Sequence, residues 1–313
     1  MVSAKSKAII VDKFSRGENW NWLDYKIPHR KALQIEGTWR PQFKELIDDS
    51  IQEILIDAKN AIVDLAFLSD FPNIKSLGIA CQSIENFDSV KGLHKLEELS
   101  IISDKNQKLN FDIEADLKIL SLVWKNKFEI SYLPKSIEYL SIDKGSKINW
   151  KKLLENKNSL LKVNLVDCDI DKADILFNLK SLRYLSLTGC KKITFDNAGN
   201  NDSLRFIDLR ETPLSTLQWI NSLKGIQIIC ITTAGKLDTI SNIKKRDSII
   251  GLFIAGNTTI EDGNLSSLET LKNLRNCFIV GKKHYSHKSI ESWNWQNFNL
   301  PKKELLKVKK QSN

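Results

Sequence analysis

Two histidines spaced three residues apart, His284 and His287, would lie on one helical turn and could offer two metal nitrogens there. No third ligand is identifiable nearby, and the surrounding segment is rich in lysine, which repels a cation. The pair therefore reads as part of a surface loop. Nucleophilic chemistry is also unsupported. Cys230 has no histidine in register with it, and a Cys/His pair needs the base within hydrogen-bond reach. The chain has no GxSxG, no Walker loop and no GxGxxG after a strand. Acidic residues abound without forming a paired constellation, so no enzyme, no bound metal and no cofactor is expected.

The five cysteines are odd in number and spread along the chain, which fits reduced thiols better than a disulfide framework. Cys168 and Cys190 come close enough in the repeat described below for a bridge to be geometrically feasible. Two buried thiols donating to backbone carbonyls is the preferred account, with Cys277 as core filler.

The net charge of +9 is unevenly placed, since Lys282 to Asn313 holds eight lysines against Glu291 and Glu304. A basic tail can bind nucleic acid or acidic membranes. Aromatic interleaving is absent from its final run, Lys302 to Lys310, and no RNP, helix-turn-helix or zinc-finger pattern accompanies it. A solvated tail is preferred, and nucleic-acid or acidic-surface binding through it remains the alternative function. No run approaches the roughly 20 apolar residues that span a bilayer, and the apolar stretch near Met1 to Val11 is too short for a secretory signal. The expectation is a cytoplasmic protein that makes no membrane contact.

The elements that would position any site follow from one recurring pattern. Eleven times an apolar residue is followed three and five places later by two more, LxxLxL. The copies begin at Ile51, Ile74, Leu96, Leu117, Ile137, Leu160, Leu182, Leu204, Ile226, Ile249 and Leu274, at intervals of 20 to 25 residues. One copy alone would mean little, because any half-buried strand can produce it. Several copies add a polar or thiol residue and then an apolar one: Leu165 is followed by Cys168 and Ile170, Leu187 by Cys190 and Ile193, Ile254 by Asn257 and Ile260.

This period and core resemble the leucine-rich repeat, in which each repeat supplies a short strand and a return segment. The resemblance implies an α/β solenoid, a horseshoe with a parallel concave β-sheet and short 3₁₀ or α-helical convex segments. It also implies that the Asn or Cys after each strand stacks into a ladder satisfying backbone groups. Thr212, Gln82, Lys125 and Ala234 make that ladder ragged, so turn geometry should vary.

The returns carry their own period. Leu214, Leu217, Ile220, Leu223 and Ile226 place an apolar residue at every third position, as do Ile84, Phe87, Val90, Leu93 and Leu96. Three residues per turn is the 3₁₀ period. Most repeats resemble the 22-residue class of the family. Tyr132-Leu133-Pro134 before the strand at Ile137 resembles the bacterial LPxxL variety, and proline favours an extended return there.

The expected organisation is an N-terminal cap over 1–48, a solenoid over 49–281 and a C-terminal cap with basic tail over 282–313. A chain with 42% apolar residues can bury a continuous core along such a solenoid. Trp20, Trp22 and Trp39 before the first repeat, and Trp293 and Trp295 after the last, suit the covering of open ends. From Phe43 to Asp57 a short helix or turn should run into the first strand, with Asp48, Asp49 and Ser50 as cap or turn residues.

Side chains alternate along a strand, so the leucines of each copy point inward and the residues between them outward. The outward columns contain Ile119, Tyr139, Tyr184, Phe206, Ile228, Phe253 and Phe278, where an idle solvated face would be polar. An exposed aromatic patch marks a binding surface, and interface cores favour Tyr, Phe and Arg. The candidate partner-binding residues are Tyr139, Asp143, Lys162, Tyr184, Phe206, Asp208, Arg210, Ile228, Phe253 and Phe278. The expected function is a protein-protein interaction module, monomeric when unbound, that binds a protein partner through this face, with a lean toward an inhibitor or immunity protein.

Overall fold

The computed structural model describes residues 6–11, 30–105, 116–128, 130, 132–196, 199–287 and 290–292. The chain divides into two compact units, residues 1–160 and 161–313.

In the first unit the strands are β1 (Lys7–Val11), β2 (Lys31–Glu36), β3 (Ile51–Asp64), β4 (Ser76–Glu85), β5 (Glu98–Ser103), β6 (Ile119–Phe128) and β7 (Tyr139–Gly145). They hydrogen-bond in chain order, β1 antiparallel to β2 and the others parallel. Each copy of the repeat meets the next at the same position: Ile54 pairs Leu77, Leu77 pairs Leu99, Leu99 pairs Leu120 and Leu120 pairs Leu140. All of these are buried, as expected where one strand face lies against the core.

The parallel ladder starts one strand earlier than the first LxxLxL copy. β2 pairs with β3 so that Leu33 meets Ile54 and Ile35 meets Ile56. Arg30-x-x-Leu33-x-Ile35 is the same pattern with arginine in its first apolar place. Between β2 and β3 lie a 3₁₀ helix, Pro41–Leu46, and a turn in which Asp48 Oδ1 accepts from the Ser50 backbone N–H at 2.8 Å. Trp39 stacks on Phe67 at 4.1 Å between ring centroids and meets Phe43 and Phe71 edge-on. Trp20, Trp22, Trp293 and Trp295 lie outside the described residues.

Several strands of this unit run past the repeat pattern. β3 and β4 resume pairing beyond a register shift at Ala58/Ile62, where Val63 meets Ile84. The return segments then fold as the threefold spacing predicts. Phe87–Gly92 is a 3₁₀ helix, with Leu93 N–H bonded to the Val90 carbonyl and Leu96 N–H to that of Leu93. The described residues of the return through Tyr132, Leu133 and Pro134 form no helix, in line with the LPxxL expectation.

The second unit contains β8 (Lys162–Val166), β9 (Tyr184–Thr188), β10 (Phe206–Arg210), β11 (Ile228–Thr232), β12 (Lys236–Leu237), β13 (Gly251–Ala255), β14 (Thr259–Ile260), β15 (Asn276–Ile279) and β16 (Ile290–Ser292). β8, β9, β10, β11, β13 and β15 form a parallel ladder, and antiparallel β16 lies on its last edge. The smaller β12 and β14 pair on the return side.

The residue after each of β8, β9, β10, β11 and β13 turns the chain through the left-handed region. Asp167, Gly189, Glu211, Thr233 and Gly256 have φ between 49° and 67°. A Cβ at Gly189 would lie 2.1 Å from Asp167 Oδ1, so this row also brings side chain and backbone close. Beyond the turn, the Cys190 thiol donates to the Leu165 carbonyl of the preceding rung at 3.7 Å, and Thr212 Oγ1 to that of Leu187 at 3.4 Å. Ala234 has no such donor, but its N–H bonds Thr258 Oγ1 at 3.0 Å. Thr258, buried, therefore takes the place expected of Asn257, which is exposed. The return Gln218–Ser222 is 3₁₀, with Leu217, Ile220, Leu223 and Ile226 linked by successive three-residue bonds. Trp150–Leu154 in the first unit (α1) and Asp174–Phe177 in the second (α2) supply single α-helical turns instead.

Candidate functional site

The outward columns hold the register expected of them within each unit. In the first unit, Glu53, Ser76, Glu98, Ile119 and Tyr139 are successive partners. In the second, Lys162, Tyr184, Phe206, Ile228, Gly251 and Asn276 are, and beside them Asn164, Ser186, Asp208, Cys230, Phe253 and Phe278. Of the ten candidate residues, Tyr139 and Asp143 belong to the first unit and the other eight to the second. Tyr139 is half-buried, and desolvation raises its phenol above the usual tyrosine range while a hydrogen bond with Ser141 opposes the rise. Asp143 is half-buried too.

Seven of the eight in the second unit form two stacks and an ion pair, and Ile228 packs beside Phe206. Tyr184 lies flat on Phe206, ring centroids 4.5 Å apart, and Lys162 Nζ sits over the other side of the Tyr184 ring at 4.6 Å from its centroid. Phe253 and Phe278 stack at 4.8 Å. Adjacent parallel strands lie about 4.8 Å apart, so rings in one column on neighbouring rungs meet at stacking distance. Arg210 Nε bonds both oxygens of Asp208 at 3.1 and 3.0 Å, and Nη2 reaches Oδ2 at 2.9 Å.

These contacts correct the expectation of an exposed patch. Phe206 is 7% exposed, Ile228 4% and Asp208 5%, and Lys162 is buried as well. Phe206, Ile228 and Cys230 form a small apolar cluster of their own, with Tyr184, Ile250 and Phe253 against it. The accessible members are Arg210, whose side chain is 55% exposed, and the half-buried rings of Tyr184, Phe253 and Phe278. Burial raises the Asp208 carboxyl above its usual range, against the pull of Arg210, while Asp208 raises the guanidinium further. Burial lowers the Lys162 ammonium to about 7 and pushes the Cys230 thiol well up, which leaves that thiol inert.

Each unit has the leucine-rich-repeat fold. Among solved structures, the chain is similar to an internalin of Listeria monocytogenes, at 16% identity over 79% of this chain and 80% of that one, TM-score 0.49. It is also similar to CroV588, a circular leucine-rich-repeat protein, at 14% identity over 80% of this chain and 45% of that one, TM-score 0.48. The chain thus spans under half the length of the second. No protein-family model matches the chain, and no curated protein does. The fold assignment rests on the strand register and not on these likenesses.

The histidine pair is structural. His287 is 2% exposed, with Nε2 3.2 Å from Glu269 Oε1 and Nδ1 2.9 Å from Ser286 Oγ. The surface-loop expectation therefore fails for it, because its segment closes over the last described rungs. His284 Nε2 donates to the Ile260 carbonyl at 2.9 Å, and the Tyr285 hydroxyl accepts from the Ile260 N–H at 2.8 Å. Among the described residues no group of three or more His, Cys, Asp or Glu side chains could hold a metal ion. All five cysteines are free and buried. No described helix is long and apolar enough to cross a membrane. The lysines from Lys302 to Lys310, and His29, lie outside the described residues.

A group that sequence reasoning missed is Arg30. Its guanidinium pairs with Glu98 and, at 2.6 Å, with Glu97, while Ser76 Oγ donates to Glu53 Oε1 at 3.0 Å. Arg30, Glu53, Ser76 and Glu98 are all buried. The available signal was the arginine standing in an apolar place of the repeat.

Proposed function

We propose that the chain is a protein-interaction module whose second unit binds a protein partner on its outward sheet face. The observation that carries this reading is the half-exposed Arg210 on a sheet face that also holds two aromatic stacks, all on strands in uniform register. Tyr, Phe and Arg are the residues that anchor interfaces. Here they are held before any partner arrives: Asp208 restrains the guanidinium, and each stacked ring restrains its neighbour. Little side-chain entropy then remains to be lost on binding. Phe206, Ile228, Asp208 and Lys162 act as supports for Tyr184 and Arg210, and Tyr139 and Asp143 extend the candidate surface in the first unit.

Within this class the reading leans to an inhibitor or immunity-type protein acting in the cytoplasm as a monomer, since a repeat module that occludes a partner needs no catalytic group. The test is to recover a partner with the intact chain as bait, purify both proteins and titrate them. Arg210→Ala and Phe253→Ala should each weaken binding by tenfold or more, the size of an anchor loss of about 1.4 kcal/mol. Unchanged affinity in both would remove the face from consideration.

A further inference from the structure

We infer that the surface taken by the second unit is an acidic protein segment, carboxylates flanking an apolar side chain; this rests on the reading just given. The residues immediately before the strands form one hydrogen-bonded row: Arg183 N–H bonds the Leu161 carbonyl, Arg205 that of Arg183, Gln227 that of Arg205, Ile250 that of Gln227 and Arg275 that of Ile250. Three of the six are arginines. Arg205 is committed to the carbonyls of Asp202 and Gly225, but Arg183 and Arg275 are exposed and have no ion-pair partner among the described residues.

Counting this row with the parallel strands, Arg183, Arg205, Arg210, Arg275 and the buried Lys162 stand against Asp208, and antiparallel β16 adds Glu291 at the last edge. Asp208 is itself neutralised by Arg210. The equivalent segments of the first unit, β2 included, have the opposite sign, with Lys31, Lys75 and Lys118 against Glu36, Glu53, Asp57, Glu97, Glu98, Glu138 and Asp143. A basic excess is therefore a property of these strands and not of the lysine-rich chain as a whole.

Arg210 adds direction. Asp208 occupies its Nε and one Nη2 donor, so the Nη1 side of the half-exposed fork is left to meet a carboxylate end-on. The aromatic rings alongside offer apolar area for the residue next to that carboxylate. A polyphosphate strand fits less well. Asp167 and Glu211, both exposed, line the far ends of the strands and would repel a phosphate backbone charged at every residue, whereas a protein segment can carry acids only where Arg183, Arg275 and the Arg210 fork meet them.

The test pans random peptides displayed on phage against the intact chain. Peptides enriched in Asp and Glu beside an aromatic or aliphatic residue are expected. Their affinity, read by fluorescence anisotropy, should fall about tenfold in Arg183→Glu/Arg275→Glu and in Arg210→Ala, with a loss that shrinks at high salt. Circular dichroism of each variant confirms the fold. A library yielding no acidic enrichment, or acidic peptides indifferent to both variants, overturns the inference. Neutral or basic peptides that lose binding only in Phe253→Ala would overturn it while leaving the proposed face intact; peptides indifferent to every outward substitution would overturn both. Displacement of the selected peptides by a short DNA duplex at equal concentration would reassign the arginines to phosphate, and light scattering showing that the intact chain self-associates unless Arg183 and Arg275 are reversed would reassign them to a second copy.

Discussion

Arg210 grips Asp208 from the side, two residues along the same strand, and leaves the acid buried while its own fork stays half in solvent. The pair turns a carboxylate that burial disfavours into the support of an exposed cation. Arg210→Ala removes the cation paired with Asp208 and should cost about 2 kcal/mol of stability, the value of a hydrogen bond to a charged group. The folded carboxyl lies above its unfolded value, so Asp208 lowers stability as pH rises through the interval between the two, and the variant should lose more of its urea midpoint near neutrality than in mild acid. An equal loss at both pH values would mean that the pair is solvated.

The main chain was largely legible in the residues, and the outward side chains only in part. Leu214, Leu217, Ile220, Leu223 and Ile226 predict a 3₁₀ return because three residues per turn bring every third side chain to one face and the stretch holds no proline to favour the polyproline helix of the same period, and register follows from the leucines because a slip of one residue would turn them all outward. Packing among outward residues depends on facts that period alone does not carry. Tyr184 and Phe206 were assigned to one column, but their exposure was decided by the match between rung spacing and ring-stacking distance. β2 stayed hidden because Arg30 occupies an apolar place, and Thr258 because the repeat gains a residue ahead of it.

Arg30 is the clearest stability test in the first unit. It reaches glutamates 67 and 68 residues away, and Glu98 is as buried as Arg30 itself. Arg30→Ala takes the guanidinium away from a buried carboxylate, for which about 3–5 kcal/mol is the usual cost. Arg30→Met with Glu98→Gln should recover much of that loss, because the penalty comes from an unpaired charge more than from a missing attraction. Urea unfolding of the three proteins checks this, and a single variant that loses under about 1 kcal/mol would show that the ion pair is dispensable.

Thr233 offers a gain. Its φ of 57° follows the row set by Gly189 and Gly256, yet a β-branched side chain is the least suited to the left-handed region. Relief of about 1 kcal/mol is expected in Thr233→Gly, since an L-residue loses roughly that much there and the N–H bond to the Ala255 carbonyl is kept. Thermal unfolding at matched concentration should show a higher midpoint; a lower one would mean that the threonine side chain contributes more by packing than it costs by strain.

Lys162 should give the face a pH dependence with a defined sign. Burial lowers its ammonium to about 7 in the folded protein, while the unfolded chain holds that proton to about 10.4. Between these values the unfolded state binds more protons, so stability rises with pH from about 7 towards 10, and below 7 the folded state carries the full cost of a buried charge. Lys162→Met keeps a side chain of similar length, able to pack on the Tyr184 ring, and cannot titrate. The variant should be the more stable protein at about pH 6, and its advantage should shrink by about pH 9 as wild type sheds the proton. Cysteine and tyrosine titrations are common to both proteins and cancel in that difference. An advantage that grows with pH instead would place a stabilising cation over Tyr184, and Lys162 would then join Arg210 as a charge that the partner meets.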